Sequence, residues 1–190
     1  LEQSSFMVAE LQKDFEVNKV LSLAMAFAVC CGSALSAQAA DISGSVGVTG
    51  QGDMTYRLAM GVNWNTQWWQ TSAGRLTGYW DAGYTYWEGA NHYAAAKHSL
   101  SFAPVFVYEF GNGQLKPFIE AGIGVSVFSS TRVGEKDLGA AFNFEDRIGA
   151  GVKIGDTQRV GIRAIHYSNA GIKEPNDGIE SYALFYSHAI

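Results

Sequence analysis

The stretch LKPFIEAGIGVSV, Leu115 to Val127, reads as two interleaved sequences. Leu115, Pro117, Ile119, Ala121, Ile123, Val125 and Val127 form one series, and Lys116, Phe118, Glu120, Gly122, Gly124 and Ser126 form the other. Successive side chains of a strand point to opposite faces. One face is therefore apolar along its whole length, and the other mixes charge with small residues. A soluble strand is commonly about 5–6 residues long, whereas a tilted membrane-spanning strand needs ~9–11. This stretch meets the longer requirement.

The pattern recurs on both sides of it. Met54, Tyr56, Leu58, Met60, Val62 and Trp64 alternate with Thr55, Arg57, Ala59, Gly61 and Asn63. Leu76, Gly78, Trp80, Ala82, Tyr84 and Tyr86 alternate with Thr77, Tyr79, Asp81, Gly83 and Thr85, and Leu100 to Phe110 repeats the scheme. Further segments near 41–50, 140–153, 158–169 and 179–190 bring the number to eight. Lipid tolerates no open sheet edge, and single-chain bacterial barrels use an even strand number. The expected fold is all-β, an eight-stranded antiparallel transmembrane β-barrel of the outer membrane. Its narrow interior suits small and polar side chains.

Charge follows the same division. Arg57, Asp81, Glu120, Glu145, Arg147 and Arg163 fall on the less apolar register, with both signs present for pairing inside. A one-residue slip would turn them all into lipid. Asp146 is the exception, on the apolar register of its segment, where a bulge or the membrane boundary would account for it. Trp64, Trp68, Trp69, Tyr84, Tyr86, Trp87 and Tyr93 gather near segment ends, as interfacial aromatics do. A secreted β-sandwich or small soluble barrel is the competing fold. Neither explains a column of large apolar side chains repeated over long strands with no second sheet to cover it.

Residues 1–39 stand apart from 40–190, the expected barrel domain. VLSLAMAFAVCCGSAL, Val20 to Leu35, is a short apolar run behind Lys19, and Ala37 and Ala39 suit a signal peptidase. Cleavage after Ala39 is expected. The acidic stretch before Lys19 is atypical of a signal peptide and is expected to precede the true start. As a membrane anchor the run falls short of the ~20 residues a spanning helix needs. Cys30 and Cys31 both lie within it, so the mature chain has no disulfide and no thiol nucleophile. No zinc-type Cys/His spacing occurs, and a formal net charge of -5 offers no basic surface to nucleic acid.

With both termini periplasmic, the outward connections are expected near 50–53, 88–96, 130–138 and 170–177. The periplasmic turns are then 65–73, 111–114 and 155–157, the first unusually long and Trp-rich. The final residues His188, Ala189 and Ile190 depart from the terminal aromatic common in outer-membrane barrels.

AIHYSNAG, Ala164 to Gly171, then presents a puzzle. Val160, Ile162 and Ala164 continue by twos to His166 and Ser168, which puts polar groups on the lipid-facing column. Glu180 is the first outward residue of the next segment. If the hairpin pairs His166 with Glu180, Ser168 falls opposite Gly178, since neighbouring strands lie ~4.8 Å apart. Ser168 then serves as nucleophile, His166 as its base and Glu180 as the acid that orients the imidazole. Alternatively these residues stand in the headgroup zone and do nothing. His92 and His98 read as belt or loop residues, with no partner in the sequence to make a site. Lys173 and Lys97 read as solvated loop lysines before they read as phosphate ligands.

RAIHYSNAGIKEPNDGIESY, Arg163 to Tyr182, resembles the active-site hairpin of the outer-membrane lipid A 3-O-deacylases, the PagL family. The resemblance extends through TYRL, WWQTS, GRLTGYWDAGYTYWEG, KHSLSFAPVFVYEF, KPFIEAGIG and FEDRIGAG, essentially the whole mature chain. It implies an eight-stranded barrel that removes the 3-position acyl chain of lipid A by serine-hydrolase chemistry. His166, Ser168 and Glu180 match the family's catalytic residues. Asn169, the Gly171 backbone and Asn176 match positions near its oxyanion site. The resemblance also implies no metal cofactor, a lipopolysaccharide substrate in the outer leaflet, and the homodimer by which the family is described. An outer-membrane phospholipase, an acyltransferase and a non-catalytic structural or adhesive barrel remain the alternatives.

Overall fold

The computed structural model describes residues 40–89 and 96–190, all within one compact unit, Gln38–Ile190. The expected signal segment, His92 and Tyr93 lie outside the described residues. The strands are β1 (Ala40–Val48), β2 (Met54–Asn63), β3 (Gly74–Trp87), β4 (Lys97–Phe110), β5 (Leu115–Phe128), β6 (Arg132–Val133), β7 (Lys136–Asp137), β8 (Phe142–Ile154), β9 (Gln158–Ser168) and β10 (Ile179–Ala189). Eight of them close into an antiparallel barrel in the order β1-β10-β9-β8-β5-β4-β3-β2, while β6 and β7 pair only with each other. The barrel is the one expected from the alternation. The small β6–β7 hairpin, inside the connection between β5 and β8, was not foreshadowed by any periodic signal.

Closure satisfies the backbone without an edge. β1 bonds to β2 on one side and to β10 on the other. Pro104 lacks a donor, and the β4–β5 ladder has no pairing between Phe102↔Val125 and Val105↔Gly122, yet the register is the same on both sides. The outward residues of β5, Leu115, Ile119, Ile123, Val125 and Val127, are exposed and Phe118, Glu120 and Ser126 are buried. The face divided by the sequence is thus divided in space.

Inside, charge is paired rather than lining a pore. Arg147 donates from Nη2 to Asp81 Oδ1 at 2.8 Å and from Nε to Glu145 Oε1 at 2.9 Å, and Arg57 pairs with the same Asp81. Arg163 Nε donates to Glu120 Oε1 at 2.6 Å, and Tyr79 Oη donates to Glu120 Oε2 at 2.9 Å. Nearer one rim, Glu109 accepts from Arg75 and Lys153, and Arg159 meets Asp41. Two apolar clusters fill the remainder. One holds Ala103, Val105, Val107, Phe118 and Phe185 with Tyr79, and the other Trp87, Phe128, Val133, Leu138, Ile165, Tyr167 and Ile179. The second closes the rim that carries the connections after β1, β3, β5 and β9, here termed the loop rim.

Removing one member of such a pair leaves a buried charge uncompensated. Arg147→Met is expected to lower the unfolding free energy by about 3–5 kcal/mol. Urea unfolding of protein refolded into lipid vesicles measures it, and an unchanged midpoint would contradict the pairing.

At the opposite rim the long Trp-rich turn prolongs the β2–β3 hairpin. Trp64 N–H donates to Gly78 O at 2.8 Å, and Trp68 and Leu76 exchange backbone bonds. The Trp64 ring packs across Gly78, where a Cβ would meet it at 2.1 Å, and lies edge-on to Phe106, Trp80 and Trp68.

Candidate active site

The tight turn between β8 and β9 and the longer one between β9 and β10 set the register of three neighbouring strands. On the outer wall His166 of β9 stands opposite Glu180 of β10 and, on its other side, opposite Asp146 of β8. One step toward the loop rim, Ser168 stands opposite Phe144, with Gly178 just beyond the last paired residue of β10. One step the other way lie Ile148, Ala164 and Tyr182, followed by Ala150, Ile162 and Leu184. A polar row thus caps an apolar wall. Asp146 belongs to that row. Both of its ladders run without a bulge, so the bulge offered for it is set aside and its place near the rim end of β8 accounts for it.

His166 Nδ1 and Glu180 Oε1 are 2.9 Å apart, with side chains 42% and 30% exposed. With its proton on Nδ1, shared with the carboxylate, the ring presents a basic Nε2. That edge faces Gly178: a Cβ there would lie 2.7 Å from His166 Cε1 and 3.3 Å from Nε2. Gly178 also has φ +62. Its glycine is required twice, by the backbone and by the ring above it. Ser168 Oγ makes no hydrogen bond among the described residues, and hydroxyl–imidazole bonds often tighten only when substrate is bound. In the first loop, Gly50 lies against the other Glu180 oxygen, from which a Cβ would stand 3.5 Å.

The loop after Ser168 is organised by Asn169, which is almost fully buried. Its Nδ2 donates to Leu138 O at 2.7 Å and to Lys173 O at 2.6 Å, and its Oδ1 accepts from Lys173 N at 3.3 Å. Both amide hydrogens are therefore committed to the loop and away from an oxyanion. Asn169 N–H donates to Asn176 Oδ1 at 3.0 Å, which fixes the Asn176 side chain by its oxygen and leaves the amide nitrogen as a donor. Ala170 and Gly171 have φ of 53 and 75, and Ile172 N bonds to Asn169 O. This is the geometry of a type I′ turn, in which an alanine is strained. The exposed Gly171 amide lies outside the turn's closing bond.

The remaining candidates lie apart. His98 stacks on Tyr84, whose Oη lies 2.6 Å from its Nδ1, a belt arrangement on β3 and β4. The Lys173 side chain is exposed, and Lys97 opens β4 on the inward register. The proximity of Asp146 to His166 was derivable: the turn pairs Ile154 with Gln158, and equal counts back and forward reach the two residues. The Asn169 contacts cross to another loop and left no local signal.

Residues 50–189 match the family model described as Lipid A 3-O-deacylase (PagL). The chain is 65% identical over 170 residues to the lipid A deacylase PagL of Pseudomonas aeruginosa, covering 90% of this chain and 98% of that one. A Bordetella bronchiseptica protein of the same name is 35% identical over 175 residues, covering 90% of this chain and 96% of its own. A crystal structure of the outer membrane enzyme PagL superposes with a TM-score of 0.75 at 68% identity, over 79% of this chain and 99% of the other.

Proposed function

The chain belongs to the lipid A 3-O-deacylase family, and from that premise we propose that it hydrolyses the ester-linked 3-position acyl chain of lipid A with Ser168, His166 and Glu180. The observation that carries this reading is the His166–Glu180 pair at 2.9 Å on the outer wall, two residues along the strand from Ser168. Polar side chains on a lipid-facing wall are costly, and a substrate that is itself the membrane gives them a use.

Ser168 Oγ attacks the ester carbonyl carbon while His166 Nε2 takes its proton. Glu180 holds the imidazole and offsets the charge it acquires. The tetrahedral oxyanion is met by the Asn176 amide and the Gly171 N–H, two donors that the loop leaves uncommitted. Asn169 shapes the loop that carries both. Collapse expels the sugar oxygen, which receives the proton from His166, and leaves an acyl group on Ser168. Water, deprotonated by the same imidazole, then releases the fatty acid. The acyl chain lies along Ala164, Ile162 and their neighbours, and Asp146 offers an acceptor to a substrate hydroxyl beside His166. Every triad member comes from one chain, so the chemistry needs no second copy.

The loop rim faces outward in this reading, with the triad at the height of the outer leaflet. A cysteine at position 173 is expected to react with an impermeant thiol reagent on intact cells; labelling only after rupture would reverse the orientation. The activity separates from its rivals by product. Purified protein in detergent with a chelator present should release hydroxyacyl chains from lipid A and none from phospholipid. Fatty acid from phospholipid, dependent on calcium, would make it a phospholipase, and a gain of mass on lipid A an acyltransferase.

A further inference from the structure

We propose that Gly139 and Asp177 are positioning residues, through which the connection between β5 and β8 braces the loop bearing Asn176 from inside the barrel mouth. The inference rests on the triad reading above and adds a support to it.

Three contacts define it. Leu138 is fully buried against Val133, Trp87, Phe128, Ile165, Tyr167 and Ile179. Ile165, Tyr167 and Ile179 are the inward-facing neighbours of His166, Ser168 and Glu180, so the plug packs the reverse side of the strand ends that carry the triad. The Leu138 carbonyl receives Asn169 Nδ2 at 2.7 Å, and Asn169 in turn holds Asn176 at 3.0 Å. Beside it, Asp137 N–H donates to Asp177 Oδ2 at 2.8 Å and Asp177 N–H donates to Asp137 O at 3.1 Å. A reciprocal pair of this kind fixes both separation and orientation of two loops.

Gly139 shows how close the fit is. Its φ is +66, and a Cβ would stand 2.0 Å from Pro175 O and 2.8 Å from Lys173 O. Both obstacles are backbone atoms of the loop between Ser168 and Glu180, and neither can rotate away. A methyl group at 139 must therefore push residues 173–175 outward, and Asn176 with them. A displacement of about 1 Å at a catalytic donor costs about 100-fold in rate.

A plug that served only stability would give a different result, and kinetics separate the two. Gly139→Ala, refolded in detergent and compared at equal folded fraction, is expected to lose about 100-fold in kcat on lipid A with KM within about twofold. Val133→Ala trims the same plug and leaves its hydrogen bonds to the loop in place, and is expected to keep kcat within about twofold. Asp177→Ala, which removes the acceptor of Asp137 N–H, should lower kcat about tenfold, and Asp177→Asn, which retains an acceptor oxygen, should restore it. If Gly139→Ala does not refold, the Asp177 pair alone decides. Wild-type kcat in Gly139→Ala or Asp177→Ala, or equal losses in Asp177→Ala and Asp177→Asn, would overturn the brace. Ser168→Ala run alongside distinguishes the two levels: activity surviving there would refute the triad itself, whereas its loss beside unimpaired brace variants refutes only the brace.

Discussion

Ser168→Ala is expected to abolish deacylation while the barrel assembles as before. The hydroxyl stands on the outer wall and makes no hydrogen bond among the described residues, so its removal should change stability by no more than about 0.5 kcal/mol. Its loss removes the nucleophile, and a fall of about four to six orders of magnitude in kcat is the expected scale. His166→Ala should match it. Because the members of a triad act as a unit, the double variant should be scarcely slower than either single one. Glu180→Ala should be milder, since the imidazole keeps its place on the strand and loses only its orienting partner. The rate of acyl release in detergent, with each variant brought to the same folded fraction, measures the series. Additive losses in the double variant would place Ser168 and His166 in separate roles.

Gly178→Ala is expected to inactivate the enzyme without altering a single chemical group of the triad. At φ +62 an alanine carries the strain of the left-handed region, about 1–2 kcal/mol. Its Cβ would also enter the His166 ring at 2.7 Å from Cε1. The ring must rotate or shift, and the bond from Nδ1 to Glu180 is lost with it. A fall in kcat of about 100-fold or more follows from a misplaced base. Gly52→Ala provides the matched control. Gly52 also has a positive φ, +92, but open space where the Cβ would sit, so it should show the strain with activity retained. Equal activity in the two variants would mean that the His166 ring does not need the space above Gly178.

Alternation along strands was the legible part of this sequence. Period two in β2, β3, β5, β8 and β9 assigns each side chain to lipid or lumen, and the buried Arg57, Asp81, Glu120, Glu145, Arg147 and Arg163 all lie where that assignment puts them. The pairing of His166 with Glu180 was legible only as a condition, because the loop between β9 and β10 is long enough to allow other registers; continuing the outward column across it gives the register the ladder adopts. What could not be read were contacts between loops distant in sequence. Asn169, resembling an oxyanion residue, proves to spend its amide on Leu138 O and Lys173 O. The β6–β7 hairpin is two residues per strand, too short for any periodicity to appear. Asp146 looked like a flaw on the apolar face because its strand was read alone; beside β9 it completes the polar row around His166.

The central claim is that a serine on the outer wall of this barrel cleaves the 3-position ester of lipid A. Its most direct test is the mass spectrum of lipid A incubated with refolded protein in detergent, wild type beside Ser168→Ala. The wild type should yield lipid A lighter by one hydroxyacyl group, missing from the 3 position, and the variant should return it intact. Unchanged lipid A from folded wild-type protein, or the same loss from Ser168→Ala, would contradict the account.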